Sequence, residues 1–266
     1  MRRDPVYISI LREPALQFES SFIFFYFGQF VPGRTHFRQM QEFFRKTKFY
    51  MSRITYDKLP YIHNSQFFDL GLDKKDFRNT GIVTTKIRKL DKEMDLILIN
   101  EYYDESLVLL SKVLCWDLRD LVYLPINRRK KVKRSVLDSN LKQHIRNWNW
   151  ADSQLYDYFL KRFKERIVEY GDSFKDDLAT FKMLQSNFIK DCFQEVEKGK
   201  DQHDTNIQHV ASNSRCNYFM NTSKLMNSRI EESMGIVRFE RPDPNPPKSK
   251  WKKRKVTMEI STKWTD

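Results

Sequence analysis

One segment constrains the fold more than any other. Val6-Tyr-Ile-Ser-Ile-Leu11 is a compact β-branched and aromatic run, and Arg12-Glu-Pro14 interrupts it abruptly. The run has the pattern of a buried strand. Pro14 suits the first turn of a helix, where its missing N–H costs nothing. Residues from Ala15 to about Phe30 are apolar on most sides, which predicts a largely buried helix ended by Pro32-Gly33, with Phe18, Phe22, Phe24 and Phe25 in the core. The rhythm repeats downstream. Met94-Asp-Leu-Ile-Leu-Ile99 reads as a second strand and Glu105 to Trp116 as a second apolar helix. Leu121-Val-Tyr-Leu-Pro-Ile126 reads as a third strand, near an edge because of Pro125. This alternation predicts an α/β fold, a parallel sheet flanked by helices. Such sheets bind ligands at the carboxyl ends of their strands. The positions of interest are therefore Arg12, Asn100 with Glu101, and Asn127 with Arg128.

Between the strands, Thr35 to Lys48 reads as a basic, aromatic helix, Leu59 to Leu72 as a loop and Thr80 to Leu90 as a shorter helix. Beyond Arg129 the character becomes helical, after a basic run from Arg128 to Arg134. Asp152 is a candidate N-cap. Leu155, Tyr156, Phe159, Leu160, Phe163 and Ile167 recur at helical spacing, and a further helix is predicted from about Ser173 to Glu197. Residues 1–235 are read as one domain. Residues 236–266, with Pro-Asp-Pro-Asn-Pro-Pro and Lys250-Trp-Lys-Lys-Arg-Lys255, are read as a basic, extended tail.

Lys and Arg exceed Asp and Glu by 13. A positive surface attracts nucleic acid, anionic membranes or small phosphorylated and sulfated ligands, and charge alone does not choose among them. The three cysteines form no C-x-x-C pair, so no zinc site is expected. Cys115 lies in an apolar stretch and is expected to be buried, whereas Cys192 and Cys216 could pair in a secretory chain. Met1-Arg-Arg-Asp-Pro leads straight into the first strand, so no signal peptide is read. The most apolar stretch, Ser21 to Val31, is too short to span a bilayer, and the residues alone read as a soluble chain. Asn221-Thr-Ser is a glycosylation sequon, relevant only in the secretory pathway.

A strand that ends in Arg and runs into a helix offers a guanidinium, unpaired backbone N–H groups and a favourable dipole to an anion. Ser20, eight residues beyond Arg12, could reach the same anion. The alternative is that Arg12 pairs with a carboxylate and Ser20 is small for packing. Glu101, Asp104 and Glu105 could supply a base or a sugar ligand, or could simply favour the next helix start. His63 is a further base candidate, or else an exposed loop histidine. Trp148 and Trp150 could stack on a sugar or belong to the core. Arg128 could approach a ligand or belong to a solvated loop.

Val6 to Phe22 resembles the second donor-binding motif of the galactose 3-O-sulfotransferase family, which includes galactosylceramide sulfotransferase. Asn64-Ser-Gln-Phe-Phe-Asp-Leu-Gly-Leu72 and Glu101-Tyr-Tyr-Asp-Glu-Ser-Leu-Val-Leu-Leu110, running on to Leu114-Cys-Trp116, are similar to further stretches of that family. Trp148-Asn149, Asp152, Leu155-Tyr-Asp157 and Phe159 make a fourth block in the family's order, and Asn127-Arg-Arg129 resembles its Asn-x-Arg element. The resemblance implies a P-loop-like sulfotransferase fold, partial here. It implies 3′-phosphoadenosine 5′-phosphosulfate as donor, a galactose-terminated glycolipid or glycan as acceptor, no metal, and the lumenal side of the Golgi membrane. By position, Arg12 and Ser20 would hold the donor's 3′-phosphate, with Arg128 near donor or acceptor. The family's first donor motif, a loop containing Lys and Gly, and its amino-terminal membrane anchor have no counterpart here, and no G-x-x-x-x-G-K-[ST] occurs in the chain. A fragment or truncated form is therefore expected, in which nucleotide binding outlasts turnover. Two rival readings remain open at this point: an inactive relative that only binds nucleotide or sulfated glycan, and a basic nucleic-acid-binding protein, although no nucleic-acid motif accompanies the basic runs.

Overall fold

The computed structural model describes residues 5–123, 137–197 and 207–211. The chain divides into two compact units, Met1–Ser212 and Asn213–Asp266, and the second lies outside the described residues. So do the 235/236 boundary, the basic run, Asn127, Arg128, the sequon at Asn221 and Cys216 of the possible Cys192–Cys216 pair.

Strand β1 (Ile8–Leu11) and strand β2 (Leu96–Ile99) pair in parallel, with Ile8 opposite Leu96 and Leu11 opposite Ile99. All four residues of β2 are buried, as a strand covered on both faces requires. Helix α1 (Pro14–Phe24) begins with Pro14 at its first position and Glu13 as N-cap, whose carboxylate accepts from Leu16 N–H at 3.0 Å. It stops where Tyr26 turns left-handed at φ 57°, and a 3-10 turn (Phe27–Phe30) follows. Phe18 and Phe22 are buried, but Phe24 is 73% exposed, because the last turn of α1 leaves the packed face. Helices α2 (His36–Arg45) and α3 (Thr47–Met51) divide the basic, aromatic stretch at Lys46.

Residues 59–72, expected to be a loop, hold a short helix α4 (Ser65–Asp69). Helix α5 (Thr80–Glu93) leads into β2, and helix α6 (Tyr103–Leu114) follows it. Cys115 is exposed, against expectation: it caps α6 in a left-handed conformation at φ 54°, which carries its side chain off the apolar face. The third strand is not formed at residues 121–123. Leu121 closes a 3-10 turn, and Tyr123 exchanges hydrogen bonds with the Gln185 amide (2.9 and 2.6 Å) rather than with a strand. Residues 124–126 lie outside the described residues.

The helical half consists of α7 (Ser139–Trp148), α8 (Trp150–Tyr170) and α9 (Ser173–Cys192). Helix α9 ends five residues before the predicted Glu197, because Phe193–Glu197 (β3) pairs antiparallel with Ile207–Ala211 (β4). The predicted apolar stripe of α8 is real: Leu155, Tyr156, Phe159 and Phe163 are buried. They join one core with β2, α5, α6 and α9. A second, aromatic core joins α1, α2 and α7 around Phe18, Phe22 and Phe43. The architecture is α/β, with a small parallel sheet flanked by helices and a helical second half. Among the described residues, no helix is long and apolar enough to cross a membrane.

Candidate functional site

The carboxyl ends of β1 and β2 open into a cleft of about 400 Å³ with both polar and apolar walls. Arg12, Gln17, Gln66, Asp69 and Asn100 line it. Arg12 and Asn100 are the residues that follow each strand, where the sheet logic expects a ligand. Ser20 is half-buried on α1, three residues beyond Gln17 and so on the neighbouring part of the same helix face.

The backbone around Arg12 is held from three sides. Arg12 N–H donates to Gln66 Oε1 at 2.7 Å, and Gln66 Nε2 donates back to Arg12 C=O at 2.9 Å. Glu13 N–H donates to Glu101 Oε1 at 3.0 Å, and Tyr156 Oη donates to Glu101 Oε2 at 3.1 Å. Burial, and then the Glu101 charge, push the Tyr156 phenol above its ordinary value. The buried Glu13 carboxylate receives Arg146 at 2.9 Å, and Arg146 also donates to Asp157 at 2.6 Å.

These contacts correct one expectation. The N–H groups of Arg12, Glu13 and Leu16 are all taken by protein carboxylate or amide oxygens, and Pro14 has none. The start of α1 thus has fewer open backbone donors than the bare strand–helix pattern suggests.

The three base candidates part company. Glu101 stays beside the cleft, next to Asn100, and binds the start of α1 to α8 through both oxygens. Glu105 turns toward α9, with Lys182 Nζ at 3.7 Å. The neighbouring Asp104 accepts from Tyr123 Oη at 2.9 Å. His63 is not an exposed loop residue. Its ring stacks on Trp148 with centroids 4.3 Å apart, and its Nε2 lies 3.0 Å from Trp148 C=O, a contact that requires Nε2 to carry the proton. Burial pushes His63 down to about 4, so it is neutral near pH 7. None of the three lines the cleft, although Glu101 directly follows Asn100, which does. Trp148 packs against the aromatic core and Trp150 against the other, which places both with the core reading.

Asp152, expected to cap its own helix, instead accepts from Phe67 N–H (2.8 Å) and Gln66 N–H (3.2 Å), and so caps α4 from outside. Burial raises its carboxyl to about 7, although the two N–H bonds act to lower it; the nearby Asp69 adds to the rise. Asp69 itself is raised by burial. Sequence reasoning passed over Gln17, Gln66 and Asp69. The signal available for the last two was their place within the Asn64–Leu72 block. Among the described residues, no group of three or more His, Cys, Asp or Glu could hold a metal.

The model of the family described as galactose-3-O-sulfotransferase matches residues 1–214. The chain belongs to that family. It is 34% identical over 174 residues to mouse galactosylceramide sulfotransferase, covering 64% of this chain and 40% of the relative. Mouse galactose-3-O-sulfotransferase 3 is 31% identical, covering 73% and 46%. Mouse galactose-3-O-sulfotransferase 2 is 33% identical, covering 74% and 50%. This family member therefore spans half or less of the length of these relatives. No solved structure matches it. The four blocks that carried the resemblance all fall within the matched residues. Residues of the first two blocks line the cleft, Asp152 of the fourth bonds to Gln66 there, and Glu101 of the third bonds to Glu13, the neighbour of Arg12.

Proposed function

We propose that this chain serves galactose 3-O-sulfotransfer. It binds 3′-phosphoadenosine 5′-phosphosulfate, and the sulfuryl group passes to the 3-hydroxyl of a galactose on a glycolipid or glycan. The observation that carries the reading is the family match over residues 1–214, together with a cleft at the carboxyl ends of its two parallel strands that Arg12 lines. Arg12 and Ser20 grip the donor's 3′-phosphate: a guanidinium binds phosphate bidentately, and a hydroxyl adds a donor. In the reaction the galactose oxygen attacks sulfur and the bond from sulfur to the 5′-phosphate oxygen breaks. The hydroxyl proton leaves to a base, and charge accumulates on the departing phosphate. Glu101 is the base candidate that we retain. Two of its lone-pair sites are used by Glu13 and Tyr156, and a carboxylate has about four.

No G-x-x-x-x-G-K-[ST] loop occurs in these residues, so the test below reads nucleotide binding. Arg128 is proposed to approach donor or acceptor. The fuller reading places the working enzyme on the lumenal side of Golgi membranes.

The test is calorimetric binding of 3′-phosphoadenosine 5′-phosphate to the chain and to Arg12→Ala. Binding that Arg12→Ala weakens at least tenfold supports the reading, since charge-assisted hydrogen bonds contribute roughly 1.5–3 kcal/mol. No binding by the intact chain sinks it. Tight, steeply salt-dependent binding to arbitrary DNA would point instead to nucleic acid.

A further inference from the structure

We propose that Gln66 is a positioning residue for the phosphate grip, acting as a stand-in strand neighbour that fixes the backbone from which the Arg12 side chain departs. The inference rests on the reading of Arg12 given above. In a parallel ladder, the N–H and C=O of one residue point to the same edge, where a neighbouring strand normally takes both. Arg12 is the first residue beyond the β1–β2 register, which ends with Leu11 opposite Ile99. Its N–H and C=O both go to one side-chain amide, at 2.7 and 2.9 Å. A primary amide carries its donor and its acceptor on separate atoms, which suits this two-point geometry.

The amide is itself held. Gln66 lies in the first turn of α4, and its own N–H is bonded to the buried Asp152 at 3.2 Å. Asp152 is fixed to Asn64, whose Oδ1 accepts from Asp152 N–H at 3.0 Å. The root of Arg12 is thereby tied to the start of α8 through two side chains. The end of β2 has a matching device: Ser106 Oγ accepts from Ile99 N–H (3.0 Å) and donates to Ile99 C=O (3.1 Å). Both strands of the small sheet thus end on a side chain that satisfies N–H and C=O together. Of the two residues so held, only Arg12 lines the cleft. Without the amide, the Arg12 peptide would exchange its partners for water and the guanidinium would lose its fixed origin.

The test compares the affinities of the chain for 3′-phosphoadenosine 5′-phosphate and adenosine 5′-phosphate, which differ only in the 3′-phosphate. Their ratio measures the grip alone. Gln66→Leu removes both bonds to Arg12. It is expected to reduce the ratio about tenfold, the size of one or two lost hydrogen bonds, and any loss shared by the two nucleotides cancels in the ratio. Gln66→Met, of matching length, gives the same readout should the leucine variant fail to fold. A purely structural role would weaken both nucleotides equally and leave the ratio unchanged, which overturns the proposal. The Arg12→Ala variant separates the two readings. If Arg12→Ala collapses the ratio and neither Gln66 variant does, the grip stands and the positioning role falls. If the parent shows no preference for the 3′-phosphate, both fall.

Discussion

His63 and Asp152 lie on either side of the joint between the start of α4 and the α7–α8 corner, and burial moves them in opposite directions. His63 is lowered from 6.5 to about 4, so its neutral form belongs to the folded state. The folded chain then binds fewer protons than the unfolded chain between those values. The stability His63 contributes is present above pH 6.5 and is lost as pH falls through 4. Asp152 is raised from 3.8 to about 7, so its contribution is present below pH 4 and is lost as pH rises through 7. Two outcomes are expected in urea unfolding. The deficit of His63→Gln relative to the parent shrinks as pH falls from 6.5 to 4. The deficit of Asp152→Asn shrinks as pH rises from 4 to 7. Deficits that stay flat with pH would show that burial does not govern these groups. His63 also shows why sequence misjudged a residue here. A histidine in a polar stretch gives no sign of an indole 85 residues away that stacks on it and offers it a carbonyl.

At the scale of elements, short α4 exists because other elements hold its start. Asn64 N–H donates to Asn149 Oδ1 at 2.7 Å, Asn64 Oδ1 accepts from Asp152 N–H, and Asp152 takes the N–H groups of Gln66 and Phe67. Asn64 sits left-handed at φ 49°, a conformation Asn tolerates better than most residues. Asn64→Ala should cost about 2–3 kcal/mol, from a buried N–H left unpaired plus backbone strain. Asn64→Gly, which relieves the strain alone, should recover about 1 kcal/mol of it in denaturant titrations. The Glu13–Arg146 pair links the N-cap of α1 to α7, and Glu13 is buried. Arg146→Met should cost about 3 kcal/mol by stranding that charge, and Glu13→Gln in the same background should restore part of it. The elements themselves were largely legible: β1, β2, α1, α5, α6 and α8 follow the expected periodicities. The misreadings have one physical origin. A cap preference identifies a residue type, not the helix it serves, so Asp152 was assigned to α8 rather than α4. An apolar run such as Leu121–Ile126 does not reveal that the Tyr123 peptide bonds to Gln185.

Across the whole first unit, α7 joins the two cores: it packs on α1 on one side and on α8 on the other. Phe43 and Phe67 are fully buried, one in each core. Phe43→Ala and Phe67→Ala should each cost about 3–5 kcal/mol. Coincident circular dichroism and fluorescence transitions in each variant would show that the cores unfold together. The net charge of +13 belongs to this scale as well. It favours an anionic ligand in general, whereas the cleft at the strand ends gives that preference a place. By itself, the sequence determined the strand–Arg–Pro–helix at the start, the apolar faces of the long helices and the family, because these depend on local spacing and on residue identity. Only the tertiary structure decided what surrounds Arg12. Gln66, Glu101 and Arg146 reach its neighbourhood from 54, 88 and 133 residues away from their partners. It also showed that the N–H groups of Arg12, Glu13 and Leu16 at the start of α1 are bonded within the protein. Chain periodicity fixes which way a side chain leaves its own element, and packing fixes what it meets.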